Sequence, residues 1–171
     1  MFKKGLEHIA EPYRSVVKRL VEELNNVFGP DLVSVVVYGS VARGEARRDS
    51  DLDLLIVIEK LPKSRLERIE RYVEAEKRID PLLEDLYKKG YSLSISPILK
   101  TREEAEKISP LYLDMVEDAV IVYDKDSFFE KILARLLEKL RELGAKRIYI
   151  GKKWYWVLKK DAKYGDVIII E

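Results

Sequence analysis

The chain has 171 residues, a length that fits one domain with a substantial hydrophobic core. Its 32 Lys and Arg balance 31 Asp and Glu, so the net charge of +1 gives no global attraction to nucleic acid or to an anionic membrane. The absence of Cys excludes disulfides and thiolate metal sites, and no apolar run approaches the roughly 20 residues of a membrane-spanning helix, so we expect a soluble, cytoplasmic protein that does not contact a membrane.

The first third of the chain predicts one amphipathic helix and two strongly apolar strands. Val, Leu and Phe recur at helical spacing over 13–28, and a Gly-Pro pair ends the pattern. The segments 32–38 and 52–58 are β-branched and almost wholly apolar, which is typical of strands covered on both faces. A charged stretch, 39–51, connects these two strands.

The rest of the chain mixes helices and strands without a regular alternation. Capping residues, hydrophobic periodicity and glycines mark the boundaries. The predicted elements are helices after Ser64, Asp80, Thr101 and Ser109, strands over 91–99 and 119–123, a helix opened by Ser127 with Glu130 and closed by Gly144, a hairpin turning at Gly151-Lys152-Lys153, and a last strand over 166–170.

These elements predict a mixed α/β (α+β) fold, in which helices pack on one mixed β-sheet. We expect a single domain over 1–171, in which a core over 1–125 carries a C-terminal helix and β-hairpin, 126–171, as an appendage. The leucine-rich helix over 128–143 faces either this core or a second copy of the chain, which leaves a homo-oligomer open.

The hairpin contains aromatic residues interleaved with lysines, in the segment KKWYWVLKK over 152–160. Such a segment can stack on nucleic-acid bases. The favoured alternative is that Trp154 and Trp156 share one face of a strand and cover the adjacent helix, while Tyr155 faces outward.

Two aspartates at the start of the second apolar strand are candidate metal ligands. Residues i and i+2 of a strand point to the same side, roughly 6 to 7 Å apart, so Asp51 and Asp53 present two carboxylates together. Unpaired anions there repel each other and lose hydration, a cost that a divalent cation removes. Oxygen ligands without His or Cys favour Mg²⁺, which commonly bridges to substrate phosphates.

The residues just before this pair are suited to a phosphate group. Gly39 lets a ligand approach the backbone closely, Ser40 adds a hydroxyl, and the following segment can form a short helix at the end of the strand. Arg43, with a neighbouring arginine, can neutralise further phosphate oxygens. A charged turn in which Asp53 pairs with an arginine is the plain alternative. A phosphate cradle beside a metal pair is the arrangement that nucleotidyl transfer requires.

The stretch GSVARGEARRDSDLDLLIV, residues 39–57, resembles the signature of the DNA polymerase β-like nucleotidyltransferase superfamily, particularly its small prokaryotic and archaeal minimal nucleotidyltransferases. The resemblance implies that Gly39 and Ser40 hold a nucleotide triphosphate such as ATP, and that Asp51 and Asp53 bind Mg²⁺, two ions with the NTP. It implies transfer of a nucleoside monophosphate to an acceptor hydroxyl on a protein, an RNA or a small molecule. It also makes a protein partner an expectation, since relatives of this type are often paired with a small all-helical HEPN toxin.

One departure from the superfamily pattern leaves the activity open. Many active members add a third carboxylate from a later strand, where this chain has Ser92, Ser94 and Ser96. Serine is a weak metal ligand and cannot replace a carboxylate as a base. The alternatives are therefore a transferase and a weakly active or inactive NTP-binding module that acts through a partner, such as the antitoxin of a HEPN-type toxin. A glycosyltransferase is disfavoured by the short chain and the Gly-Ser pair.

Overall fold

The computed structural model describes residues 1–170 and contains two β-sheets and seven α-helices within that range. The elements are β1 (Lys3–Lys4), α1 (Tyr13–Phe28), β2 (Leu32–Tyr38), α2 (Gly39–Arg43), β3 (Leu52–Ile58), α3 (Arg65–Lys77), α4 (Asp80–Lys88), β4 (Ile95–Thr101), α5 (Arg102–Glu106), α6 (Leu111–Asp118), β5 (Val120–Asp124), α7 (Phe128–Glu142), β6 (Lys146–Ile150) and β7 (Lys153–Val157).

The central sheet has the strand order β1-β5-β2-β3-β4. Strand β2 runs antiparallel to both of its neighbours, β3 and β5, whereas β4 runs parallel to β3 and β1 runs parallel to β5. Strands β6 and β7 form a separate antiparallel hairpin, which we call the C-terminal hairpin. The predicted mixed sheet with packed helices is confirmed.

Helices cover both faces of this sheet, which explains why β2 and β3 are apolar at almost every position. Val35, Val37 and Ile56 point into one core cluster with α1, α3 and α4. Val36 and Leu55 point into a second cluster with α6 and α7. The leucine-rich helix α7 therefore faces the core, whereas the division of the chain near residue 125 stays a prediction. No helix in residues 1–170 combines the length and hydrophobicity of a membrane span.

The strand predicted over 91–99 begins later, at Ile95, and continues to Thr101. Its partner β3 starts at Leu52, which pairs with Ile95, so the residues before Ile95 have no strand beside them. The N–H of Ser92 instead donates to the carbonyl of Arg48 at 2.8 Å, in the loop that precedes β3. The carbonyl of Ser94 accepts the N–H of Leu52, the first residue of β3, at 2.9 Å, so the segment 91–94 is tied both to the charged stretch and to the start of the sheet.

The C-terminal segment differs from its prediction. The hairpin turn is confirmed at Gly151 and Lys152. The last strand expected over 166–170 was wrong, since this segment has no regular structure. Ile170 packs against the second core cluster, while Val167 and Ile169 are exposed. An apolar run forms a strand only where a sheet edge is in reach, and this run pairs with none.

The start of α7 is confirmed, but its predicted cap was wrong. Ser127 has a positive φ of 51° and its side chain makes no capping hydrogen bond. The carboxylate of Asp124 instead accepts the N–H groups of Phe129 and Glu130, at 2.9 and 3.0 Å. Ser34 donates its hydroxyl to the same carboxylate at 2.6 Å, which joins the helix start to the sheet.

Candidate active site

The predicted site residues lie at one edge of the central sheet, where β2 ends and β3 and β4 begin. In the sheet register, Asp53 stands opposite Tyr38 of β2 on one side and Ser96 of β4 on the other. Asp51 lies just before β3, and α2 starts directly after Tyr38. The topology therefore brings the two halves of the charged stretch together, across the antiparallel pair β2–β3.

Gly39 is where these two halves touch. Its φ of +73° lies in the left-handed region that favours glycine. A Cβ at this position would collide with Oδ2 of Asp53 and would lie 3.2 Å from the Cγ atom of the same residue. The absence of a side chain at Gly39 is therefore what allows the Asp53 carboxylate to lie against the first residue of α2.

The two carboxylates repel each other. Burial raises the pKa of Asp53 above its ordinary value, the negative charge of Asp51 raises this pKa further, and the positive charge of Arg43 lowers it. Asp53 in turn adds to the effect of burial in raising the pKa of Tyr38 to about 12. A divalent cation between Asp51 and Asp53 would relieve this repulsion, so the pair has the donor chemistry and electrostatics that suit Mg²⁺.

Strand β4 and the segment just before it bring serines to the position where the superfamily pattern has a further acid. The hydroxyl of Ser94 donates to Oδ1 of Asp51 at 2.5 Å, and Ser96 stands beside Asp53 in the sheet register. Within residues 1–170, no group of three or more His, Cys, Asp and Glu side chains is arranged to hold a metal ion. Ser94 orients one carboxylate, a contact that the sequence did not predict.

Arg43, at the end of α2, is held in place on two sides. Its Nε atom donates to Oε2 of Glu45 at 2.9 Å, and its guanidinium carbon lies 4.7 Å from the ring centroid of Trp154. Its side chain is only 22% exposed. The two terminal nitrogens of Arg43 have no hydrogen bond to any residue in 1–170 and can donate to a ligand.

The other residues of the charged stretch have different surroundings. Ser40 is half-buried, and its carbonyl accepts the N–H of Glu45 at 2.9 Å within the turn that ends α2. The Arg47 side chain is 83% exposed and faces Asp49. Arg48 lies over the ring of Tyr91, with 5.2 Å between the guanidinium carbon and the ring centroid. Arg43 is thus the arginine that the structure brings close to the carboxylate pair.

Trp154 is the residue at this site that sequence reasoning missed. The favoured prediction that Trp154 and Trp156 cover a helix is confirmed, since both indole nitrogens donate to Asp114 of α6 at 2.9 Å. Periodicity could show that these two side chains share a face. It could not show that the helix they cover lies next to α2.

A carboxylate pair at the edge of a mixed sheet, packed against a glycine that opens the next helix, defines the polymerase β-like class of nucleotidyltransferases, in agreement with the sequence resemblance. Comparison with known proteins supports this class independently of the geometry. The model of the nucleotidyltransferase domain family matches residues 17–133, and the chain belongs to that family. Its enzyme class is accordingly nucleotidyltransferase.

The relatives and similar structures cover between half and about four fifths of the chain. A protein of Methanocaldococcus jannaschii with the provisional name protein adenylyltransferase is 31% identical over 144 residues, which are 83% of this chain and 91% of that relative. The protein adenylyltransferase MntA of Thermococcus cleftensis is 32% identical over 88 residues, 50% of this chain and 87% of that relative. A crystal structure of a toxin–antitoxin complex with AMP-PNP aligns with a TM-score of 0.45 at 16% identity, over 74% of this chain and 91% of the other.

Proposed function

We propose that this chain is a Mg²⁺-dependent protein adenylyltransferase, which moves AMP from ATP to a hydroxyl group of a partner protein. The observation that carries the proposal is the carboxylate pair, in which the negative charge of Asp51 raises the pKa of Asp53. The Asp53 carboxylate lies against Gly39, and the nearby Arg43 uses only its Nε atom in a hydrogen bond within the protein. The names of the two relatives described above support ATP as donor and protein as acceptor. The superfamily resemblance points to a small all-helical HEPN protein as the partner.

In this reaction, the acceptor oxygen forms a bond to the α-phosphorus of ATP, and the bond from that phosphorus to the bridging oxygen of the β-phosphate breaks. Pyrophosphate leaves, and the hydroxyl proton passes to solvent. Asp51 and Asp53 would hold Mg²⁺, which when bound neutralises phosphate charge and polarises the α-phosphate.

The protein's own groups supply the positioning. Gly39 keeps the Asp53 carboxylate at the start of α2, and Ser94 fixes Asp51 by donating a hydrogen bond to it. The terminal nitrogens of Arg43 donate to phosphate oxygens as a planar pair, a geometry that suits phosphate better than a lysine would. The contacts of Gly39 and Ser94 position the proposed metal ligands, the contact of Arg43 binds the nucleotide, and none of them removes the acceptor proton.

The double variant Asp51→Asn with Asp53→Asn tests the metal site. We expect calorimetric titration with ATP to show Mg²⁺-dependent binding in the wild type, and at least about a tenfold loss of affinity in the double variant, about 1.4 kcal/mol. Asp49→Asn is the matched control, because Asp49 lies in the same loop but is exposed and faces Arg47. Equal affinity in the double variant and the control would overturn the metal assignment.

A second function, an NTP-binding module that acts through its partner without transfer, is favoured by one observation. Ser96, and not an acid, stands beside Asp53. ATP labelled at the α-phosphate distinguishes the two functions when it is incubated with the chain and a co-purified HEPN protein or RNA. Label on the protein supports the proposed function. Label on the RNA would show that the acceptor is RNA and not a protein. Mg²⁺-dependent ATP binding without label on either supports the binding module.

A further inference from the structure

The C-terminal hairpin lies outside the residues matched by the family model, 17–133, yet it contacts the proposed nucleotide site. Its inner face carries Arg147, Trp154 and Trp156, since these residues pair or alternate across β6 and β7. The contact with the site is made by Trp154, whose ring lies next to Arg43. A segment outside the residues that the family model matches thus contacts the charged stretch.

The hairpin is firmly attached to α6. Both indole nitrogens donate to Asp114, at 2.9 Å each. The Arg147 side chain is only 2% exposed and donates to Glu117 at 3.0 Å and to Asp118 at 2.7 Å. These contacts combine charged hydrogen bonds with aromatic burial, and they fix the position of the Trp154 ring relative to α6.

Two guanidinium groups lie against that one ring. The Arg147 guanidinium carbon is 4.1 Å from the centroid of the Trp154 ring, and that of Arg43 is 4.7 Å away. Carboxylates compensate both charges: Glu117 and Asp118 pair with Arg147, and Glu45 pairs with Arg43. The Trp154 ring and Glu45 together restrict the Arg43 side chain, which would otherwise sample many rotamers. The terminal nitrogens of Arg43 keep their N–H groups for a ligand.

We propose that Trp154 is a positioning residue for Arg43, and that the C-terminal hairpin thereby prepares the guanidinium group to bind the triphosphate before the nucleotide arrives. The inference rests on the proposed nucleotide site. Because an arginine that is already oriented loses less freedom on binding, Trp154 should act on nucleotide affinity and on KM, and leave kcat nearly unchanged.

Calorimetric titration with Mg²⁺–ATP and with Mg²⁺–tripolyphosphate tests this role. Tripolyphosphate has no base or ribose, so it reports on phosphate contacts alone. We expect Trp154→Leu to weaken binding of both probes by about five- to tenfold. Trp154→Phe keeps an aromatic face, so it should retain more than half of the wild-type affinity for both probes. Trp156→Leu is the matched control, because it removes the same type of hydrogen bond to Asp114 without touching Arg43.

A double-mutant cycle identifies the route of the effect. In an Arg43→Ala background, Trp154→Leu should cause no further loss of affinity for either probe. Equal losses in the Arg43→Ala and wild-type backgrounds, or an equal loss in Trp156→Leu, would overturn the positioning role. Absence of Mg²⁺–ATP binding by the wild type would instead overturn the proposed function, so the two failures are distinguishable.

Fluorescence gives a measurement that does not depend on the stability of Trp154→Leu. The chain has only two tryptophans, so Trp156→Phe leaves Trp154 as the single indole emitter, and Trp154→Phe leaves Trp156. Since a phosphate bound by Arg43 places negative charge next to the guanidinium that faces the ring, Mg²⁺–ATP should change the emission of Trp156→Phe and leave that of Trp154→Phe unaltered. Constant emission in Trp156→Phe at a saturating nucleotide concentration would overturn the inference.

Discussion

Gly39→Ala is expected to remove Mg²⁺-dependent nucleotide binding while the chain still folds. Gly39 has a φ of +73°, and an added Cβ would meet Oδ2 of Asp53. The backbone of Asp53 is fixed by its pairing with Tyr38 and Ser96 on the two neighbouring strands. The carboxylate must therefore rotate away from α2, and the two aspartates lose their common orientation.

Gly44→Ala is the matched control for this variant. Gly44 has a φ of +72°, almost the same as Gly39, but its added Cβ would have no heavy atom within 4 Å. A left-handed conformation costs an alanine about 1–2 kcal/mol, and the lower entropy of the unfolded chain returns about 0.4–1 kcal/mol. Both variants should thus lose about 1 kcal/mol of unfolding free energy, and Gly39→Ala should lose about 1–3 kcal/mol more from the collision.

Urea unfolding and calorimetric titration with Mg²⁺–ATP measure the two effects separately. We expect a loss of affinity of at least about tenfold, or about 1.4 kcal/mol, in Gly39→Ala, and wild-type affinity in Gly44→Ala. Full affinity in Gly39→Ala would refute the argument that this glycine places the Asp53 carboxylate. An equal loss in both variants would show that backbone strain in α2, and not the collision with Asp53, controls binding.

Two further predictions concern stability. Because burial and Asp51 raise the pKa of Asp53 above 3.8, its ionised form destabilises the nucleotide-free fold; Asp53→Asn should raise Tm at pH 7, and this gain should shrink as the pH falls through the raised pKa toward 3.8. Thermal unfolding at several pH values measures this gain in Tm. A gain that grows on acidification would contradict the expected sign. Asp124→Ala should lower the free energy of unfolding in urea by about 1–2 kcal/mol, because the N–H groups of Phe129 and Glu130 lose their acceptor. Ser127→Ala should change it very little, since this side chain makes no capping hydrogen bond. A larger loss in Ser127→Ala than in Asp124→Ala would show that the serine is the cap after all.

The sequence predicted the bounds of β2 and β3 well because almost every residue in these two strands is buried. The predicted bounds 32–38 and 52–58 match β2 and β3. Continuous burial on both faces leaves an apolar run whose ends are set by charged or glycine residues, so composition alone marks the boundaries. The sequence also placed the phosphate cradle at Gly39 and the aspartate pair at the same edge of the sheet, because they flank the connection 39–51 between these two strands.

The misses have a different cause, since each depends on a contact that the usual spacing rules do not describe or on how separate elements pack. The cap of α7 comes from Asp124, outside the usual spacing, and the strand edge that segment 166–170 would need is not beside it. Likewise, the contact between Arg43 and Trp154 depends on how α6 and the hairpin pack. Local patterns carry information over a few residues and cannot report such neighbours.

The stability of the candidate site has to come from the sheet, because the site itself opposes folding. It keeps two carboxylates close enough to repel and partly buries one of them, Asp53. Directly behind it, Val36, Val37 and Leu54 are fully buried, and this burial offsets the local cost. A charged turn with no ligand would gain nothing from such an arrangement, since an asparagine at position 53 would relieve the repulsion. This cost supports the proposed site, whose charges would be neutralised when the metal and the nucleotide bind.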